Sequence, residues 1–277
     1  MSTIKQEFIS KVELKNFQKH PFHLVTVSPW PAVASAGAFC VTSGTVMYMH
    51  GYQNGGIVSA FGFIILMSVM YTWWRDIIRE GTYEGHHTSL VQLGLRMGMA
   101  LFIVSEIMFF FGFFWAFFHS SLAPAVQIGC VWPPYGIAVL NAWEIPFLNT
   151  VILLTSGAVL TAAHYALILG NRQATINYLM VTIALAVVFT LFQAFEYMSA
   201  PFSISDSVYG STFYMATGFH GFHVFIGTVF LTVCLYRSYK SHFTTQHHVG
   251  FEAASWYWHF VDVVWIFLFI AIYWWGN

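Results

Sequence analysis

The sequence predicts an all-α, polytopic transmembrane bundle of seven helices. Three observations lead there. Charge is scarce, with 10 Lys and Arg and 11 Asp and Glu among 277 residues, or 8%, beside 58% hydrophobic and 19% aromatic residues. A soluble domain carries about 25% charged residues, so these few could not cover so apolar a core. The charged residues also cut the chain into neutral blocks, 20–74, 107–143, 145–171, 173–195 and 207–236. Each has room for the ~20 apolar residues that cross a hydrocarbon core. Finally, the basic residues sort onto alternate connections. Disorder is excluded by apolarity, and a net charge of −1 gives no basic footprint for nucleic acid. Cys40, Cys130 and Cys234 form neither a CxxC nor a disulfide framework.

Residues 1–30 read as a polar, Lys-rich tail without the apolar stretch of a secretory signal. Lys5, Lys11, Lys15 and Lys19 with Ile9, Val12 and Phe17 make either a weak amphipathic surface helix or a plain polar tail. Ser28-Pro-Trp-Pro31 starts the first span, because a helix start tolerates proline. The spans are expected at 31–50, 57–79, 94–119, 145–168, 174–198, 209–236 and 252–274. The turn residues Gly51-Tyr-Gln-Asn-Gly-Gly56 separate the first two. The continuous run from Phe109 to Phe118 in the third argues against a β-barrel, whose strands alternate in polarity. Tryptophans near the expected ends, Trp30, Trp73, Trp74, Trp143, Trp256, Trp258, Trp274 and Trp275, suit headgroup anchoring.

With seven spans, the tail holds four lysines and the even-numbered connections and their flanks hold Arg75, Arg79, Arg96, Arg172, Arg237 and Lys240. The odd-numbered connections and the C-terminal end hold none. All positive charge therefore falls on one side, which the positive-inside rule makes the cytoplasm or matrix. The N-terminus is expected inside and the C-terminus outside.

Polar residues within spans are few. Glu106 lies ten residues after Arg96 and thirteen before His119. At ~1.5 Å per residue that is near the midplane, where a carboxyl costs at least ~2.5 kcal/mol on insertion scales. Its neighbours at three and four residues are Phe102, Ile103, Phe109 and Phe110, and none can pair with it. Two readings stay open: a proton relay or polar contact to a lipid or partner, and a neutral acid hydrogen-bonded to a facing helix. Asp262 follows His259 by three residues on one helix face, which suits proton handling or a self-satisfied packing pair. Glu196, shortly before Pro201, is expected at the wet outer interface, and Glu252 at a helix N-terminus that favours a carboxylate. Thirteen histidines, among them His164, His220, His223 and His259, raise a transmembrane haem b as an alternative. The spacing itself gives no metal constellation, and Gly218-Phe-His-Gly-Phe-His223 reads more simply as helix packing. The chain carries no nucleophilic triad, P-loop or paired-carboxylate site. An independent proton channel with Glu106 as carrier is the third reading.

Longer motifs stand in order along the chain: Ser28-Pro-Trp-Pro31, Trp73-Trp-Arg-Asp76, Glu84-Gly-His-His-Thr88 and Phe114-Trp-Ala-Phe-Phe-His-Ser-Ser-Leu-Ala-Pro124. They continue through Trp132-Pro-Pro134, Ile204-Ser-Asp206, Tyr209-Gly-Ser-Thr-Phe213, Ala216-Thr-Gly-Phe-His-Gly-Phe-His223, the stretch from His247 to Trp265, and Ile272-Tyr-Trp-Trp-Gly276. From about His23 to Gly276 the chain resembles subunit III of cytochrome c oxidase. The resemblance implies helices one and two (31–79) set against helices three to seven (80–277), with a V-shaped cleft that holds phospholipids. It implies a core subunit of respiratory complex IV with no catalytic centre and no metal of its own. Haem a and copper then belong to subunits I and II. It further implies support of proton uptake and protection of the catalytic subunit, in the mitochondrial inner membrane or a bacterial plasma membrane. By the same resemblance Glu106 is the family's intramembrane acid, and Trp74, Arg79 and His87 contact cleft lipid. Arg237 and Lys240 would hold an anionic headgroup. Phosphatidylethanolamine, phosphatidylglycerol and cardiolipin are the lipids expected. Accessory subunits and a complex III supercomplex are the further partners.

Overall fold

The computed structural model describes residues 20–276. The lysine-bearing segment 1–19, with its proposed amphipathic helix, lies outside the described residues. Among these, every regular element is helical, and seven helices are long and apolar enough to cross a membrane. They are α1 (Trp30–Met49), α2 (Gly55–Thr82), α3 (Ser89–Leu122), α4 (Ile145–Ile168), α5 (Arg172–Ser199), α6 (Ser207–Tyr239) and α7 (Val249–Leu268). A π-helical end, Phe269–Trp274, continues α7, and a 3₁₀ turn, Val126–Ile128, lies between α3 and α4. The expected spans therefore match in number and order. The largest difference is at the start of α3, which begins five residues earlier than expected, at Ser89. Thr88 explains it: its carbonyl accepts from the Gln92 amide at 2.9 Å, and its hydroxyl from the Val91 amide at 3.4 Å. These bonds satisfy donors that a helix start leaves open.

The chain forms two compact units, one up to Gly94 and one from Leu95 onward. In the first, α1 and α2 form an antiparallel pair. Asn54, in the left-handed conformation at φ 63°, turns the chain between them. Glycines let the backbones meet. A Cβ on Gly44 would stand 2.4 Å from the Ser59 nitrogen, and one on Gly62 would stand 2.6 Å from the Val41 nitrogen. Without hydrophobic drive between helices in lipid, such close approach supplies the packing. At the other end of the pair, the Trp30 indole donates to Asp76 at 2.8 Å.

In the second unit, α7 is the most enclosed helix and packs against α4 and α6, while α5 packs against α4 and α6. Trp258 and Trp265 of α7 are fully buried. Their indole N–H groups donate to Ser156 and Thr150 of α4, each at 2.9 Å, so no buried donor is stranded there. Trp258 is thus a core residue, contrary to the headgroup role expected from its position near a helix end. Glu196 is also corrected: it is 1% exposed and accepts from the Tyr273 hydroxyl at 2.6 Å. The π-helical end of α7 brings Tyr273 to it, a local register that hydrophobic spacing does not reveal.

Candidate functional site

In the first unit, Trp74 and Arg79 are exposed on α2, and His87 follows its last turn. Gly81 admits the His87 ring, because a Cβ there would lie 2.6 Å from His87 Nδ1. The His23 ring stacks on His86 at 4.7 Å and stands 6.1 Å from His87.

In the second unit, Glu106 does have a partner, and it comes from another helix. His223 of α6 places Nε2 2.7 Å from Glu106 Oε2. His223 Nδ1 lies 2.6 Å from the Phe219 carbonyl. A carbonyl only accepts, so Nδ1 carries a hydrogen and Nε2 faces the carboxyl. A single proton then occupies the Glu106–His223 bond, on the acid as a neutral pair or on the ring as an ion pair. The side chains are 20% and 9% exposed. Phe110 and Tyr257 stand against the imidazole, with ring centroids at 5.0 and 6.3 Å. Position within α3 identified Glu106. The spacing of His223 suits a packing or haem residue, and nothing in it points 117 positions back to the acid.

His259 and Asp262 pair as expected, with Nδ1 and Oδ2 3.5 Å apart. Gly157 of α4 makes room for the carboxylate: a Cβ there would stand 2.3 Å from Asp262 Oδ2. His259 Nε2 also lies 3.3 Å from the Thr161 hydroxyl. The structure does not bring this pair onto Glu106, since neither residue appears in its hydrogen bonding.

At the end of α6, the Arg237 guanidinium sits 4.3 Å over the Phe243 ring, while Lys240 is exposed and stands 5.8 Å from the Tyr236 ring. Burial, with Arg237 and Lys240 adjacent, holds the His242 imidazole below its usual pKa. Two of the histidines considered for haem have other bonds. His220 Nε2 donates to the Val261 carbonyl at 3.1 Å, and His223 is bonded through both nitrogens.

The sequence matches the profile of the family cytochrome c oxidase subunit III over residues 20–277. Cytochrome c oxidase subunit 3 of Prototheca wickerhamii is 67% identical over 260 residues, spanning 94% of this chain and 99% of that one. The protein of the same name from Arabidopsis thaliana is 63% identical, spanning 94% and 98%. That from Chondrus crispus is 63% identical over 263 residues, spanning 95% and 97%. With matches of this extent in both directions, the chain belongs to the cytochrome c oxidase subunit III family, and is a multi-pass membrane subunit of an oxidase complex.

Proposed function

We propose that this chain is a non-redox core subunit of proton-translocating cytochrome c oxidase, which passes electrons from cytochrome c to oxygen. Its own work is to hold phospholipids, to support proton uptake and to stabilise the catalytic subunit. Subunit I is its main neighbour, beside subunit II and small accessory subunits, and these partners carry haem a and copper. Phosphatidylethanolamine, phosphatidylglycerol and cardiolipin are its lipids, with Trp74, Arg79, His87, Arg237 and Lys240 as contacts. The mitochondrial inner membrane is its location, argued from the compact seven-helix form, with a bacterial plasma membrane as the alternative. Engagement of complex III in a supercomplex belongs to the same reading.

The observation that carries the proposal is the Glu106–His223 bond. An acid near the midplane shares one proton with an imidazole inside an aromatic surround, on helix faces that also carry exposed Phe102, Phe109 and Phe222. Such a pair can keep a polar anchor in hydrocarbon without a metal and without full charge separation. The proton channel is a weaker reading, because Glu106 is already bonded to His223 and the His259–Asp262 pair shares no hydrogen bond with it.

The test is Glu106→Gln in the assembled oxidase. The initial rate of oxygen reduction should stay near that of the parent enzyme. Activity should then decline within fewer turnovers, with less phospholipid retained by mass spectrometry of the purified complex. An immediate and complete loss of oxygen reduction in a normally assembled complex would contradict the reading, as would unchanged turnover lifetime with unchanged lipid.

A further inference from the structure

A second polar cluster lies where the end of α4 meets the start of α7 and takes no part in the proposed function. His164 stands one turn before the end of α4, His248 immediately precedes α7, and Glu252 is in the first turn of α7. One ligand atom from each lies within 4.8 Å of the other two. From this geometry we infer a binding site for a divalent transition metal of the zinc type, held by His164, His248 and Glu252.

Four features support it. The first is tautomer. His248 is 7% exposed, and its Nδ1 lies 2.9 Å from the Thr244 carbonyl. That carbonyl can only accept, so Nδ1 bears the hydrogen and Nε2 presents its lone pair to the cluster. Metal-bound histidines characteristically give their other N–H to a backbone carbonyl or carboxylate in this way. The second is the orphaned nitrogen of His164, whose Nε2 is buried without a hydrogen-bond partner. A buried polar atom left unpaired is costly, and a cation would satisfy it.

The third is the carboxylate. Arg96 of α3 holds Glu252 Oε2 at 2.6 Å through Nε and Oε1 at 3.2 Å through Nη2. Oε1, the more weakly held oxygen, is the one 3.4 Å from His248 Nε2. It can bind a cation while Oε2 keeps its bond to the guanidinium. Arg96 then orients the ligand from outside the coordination sphere. The fourth is the donor set. Two imidazoles and one carboxylate suit Zn²⁺ and its neighbours, whereas Ca²⁺ and Mg²⁺ prefer oxygen alone. Three such ligands leave a fourth tetrahedral position for water. Zinc bonds of about 2.0–2.2 Å put ligand atoms roughly 3.3 Å apart, so binding draws the three side chains inward and ties the start of α7 to the end of α4. The ion is redox-inert, so the site adds to the proposed non-redox role without depending on it.

The experiment uses the whole oxidase complex, stripped with a chelator, given Zn²⁺ and desalted. Bound zinc is counted by elemental mass spectrometry. His164→Gln and His248→Gln should each hold one equivalent less than the parent complex. Equal zinc content in parent and variants would overturn the site. Should a variant fail to assemble, crystals or grids of the unmodified complex with Zn²⁺ decide. Zinc density bonded to His164 Nε2, His248 Nε2 and Glu252 supports the inference, and its absence at saturating zinc overturns it.

Discussion

At the residue scale, the pairing of Glu106 with His223 can be measured separately from any effect on turnover. Glu106→Leu removes the acid and leaves Nε2 unpaired, whereas His223→Phe removes the imidazole and leaves the acid alone in hydrocarbon. A double-mutant cycle on the stability of the assembled complex should therefore give a coupling of about 1 kcal/mol, the scale of polar contacts between helices in lipid. Additive effects would mean that the 2.7 Å contact contributes nothing. Half of this site is legible in the sequence. The acid announces itself by depth, because charge in a span is expensive. Its partner does not, since an imidazole on a Gly-rich helix serves equally as packing. The His164, His248 and Glu252 cluster is less legible still: its members come from a helix end, a connection and a helix start, 84 and 4 residues apart in order. The lone pairs that qualify it depend on Thr244 and Arg96, which only the folded chain brings near.

At the element scale, helix existence follows from runs of apolar residues too long for anything but a span, and so all seven were readable. What hydropathy does not encode is which faces meet. The α1–α2 pair depends on Gly44 and Gly62, where the missing side chain is the relevant feature. A reporter is at hand, because the Thr45 and Ser59 hydroxyls lie 3.0 Å apart across the pair. Cysteines at these two positions should form a disulfide readily. Adding Gly44→Ala or Gly62→Ala should slow that cross-link severalfold, since each new methyl meets opposing backbone and such overpacking costs about 1–3 kcal/mol. Gly98→Ala, where a Cβ would meet nothing within 4 Å, should leave it unchanged. Cross-linking indifferent to all three would show that the glycines do not set the spacing. The same blindness to faces explains Trp258. A tryptophan near a span end suits the headgroups by composition, but Ser156 of α4 and Gly227 of α6 form a pocket for it, and it is buried.

At the scale of the whole molecule, the sidedness of the chain rests on charge, and bonds within the second unit agree with the parity of its connections. Arg172, at the start of α5, donates to the carbonyls of Ser238 and Tyr239 at the end of α6. Arg96, near the start of α3, meets Glu252 at the start of α7. At the opposite ends, the Trp132 indole in the α3–α4 connection donates to the Gly276 carbonyl at 3.2 Å. An odd number of spans requires this arrangement: the even connections share one end and the third connection shares the other with the C-terminal residues. Among the described residues of the second unit, the first end holds all the basic side chains, Arg96, Arg172, Arg237 and Lys240, and the inner surface of an energised membrane retains such charge. Cys130 is exposed in the third connection, whereas Cys234 is buried in α6. A membrane-impermeant maleimide applied to the outer face of intact vesicles should therefore label Cys130. Lys240→Cys, at the exposed end of α6, should react only after the inner face is opened. Labelling of position 240 from outside would reverse the orientation. It would also move the His164, His248 and Glu252 cluster to the outer side, where zinc applied to intact vesicles could reach it.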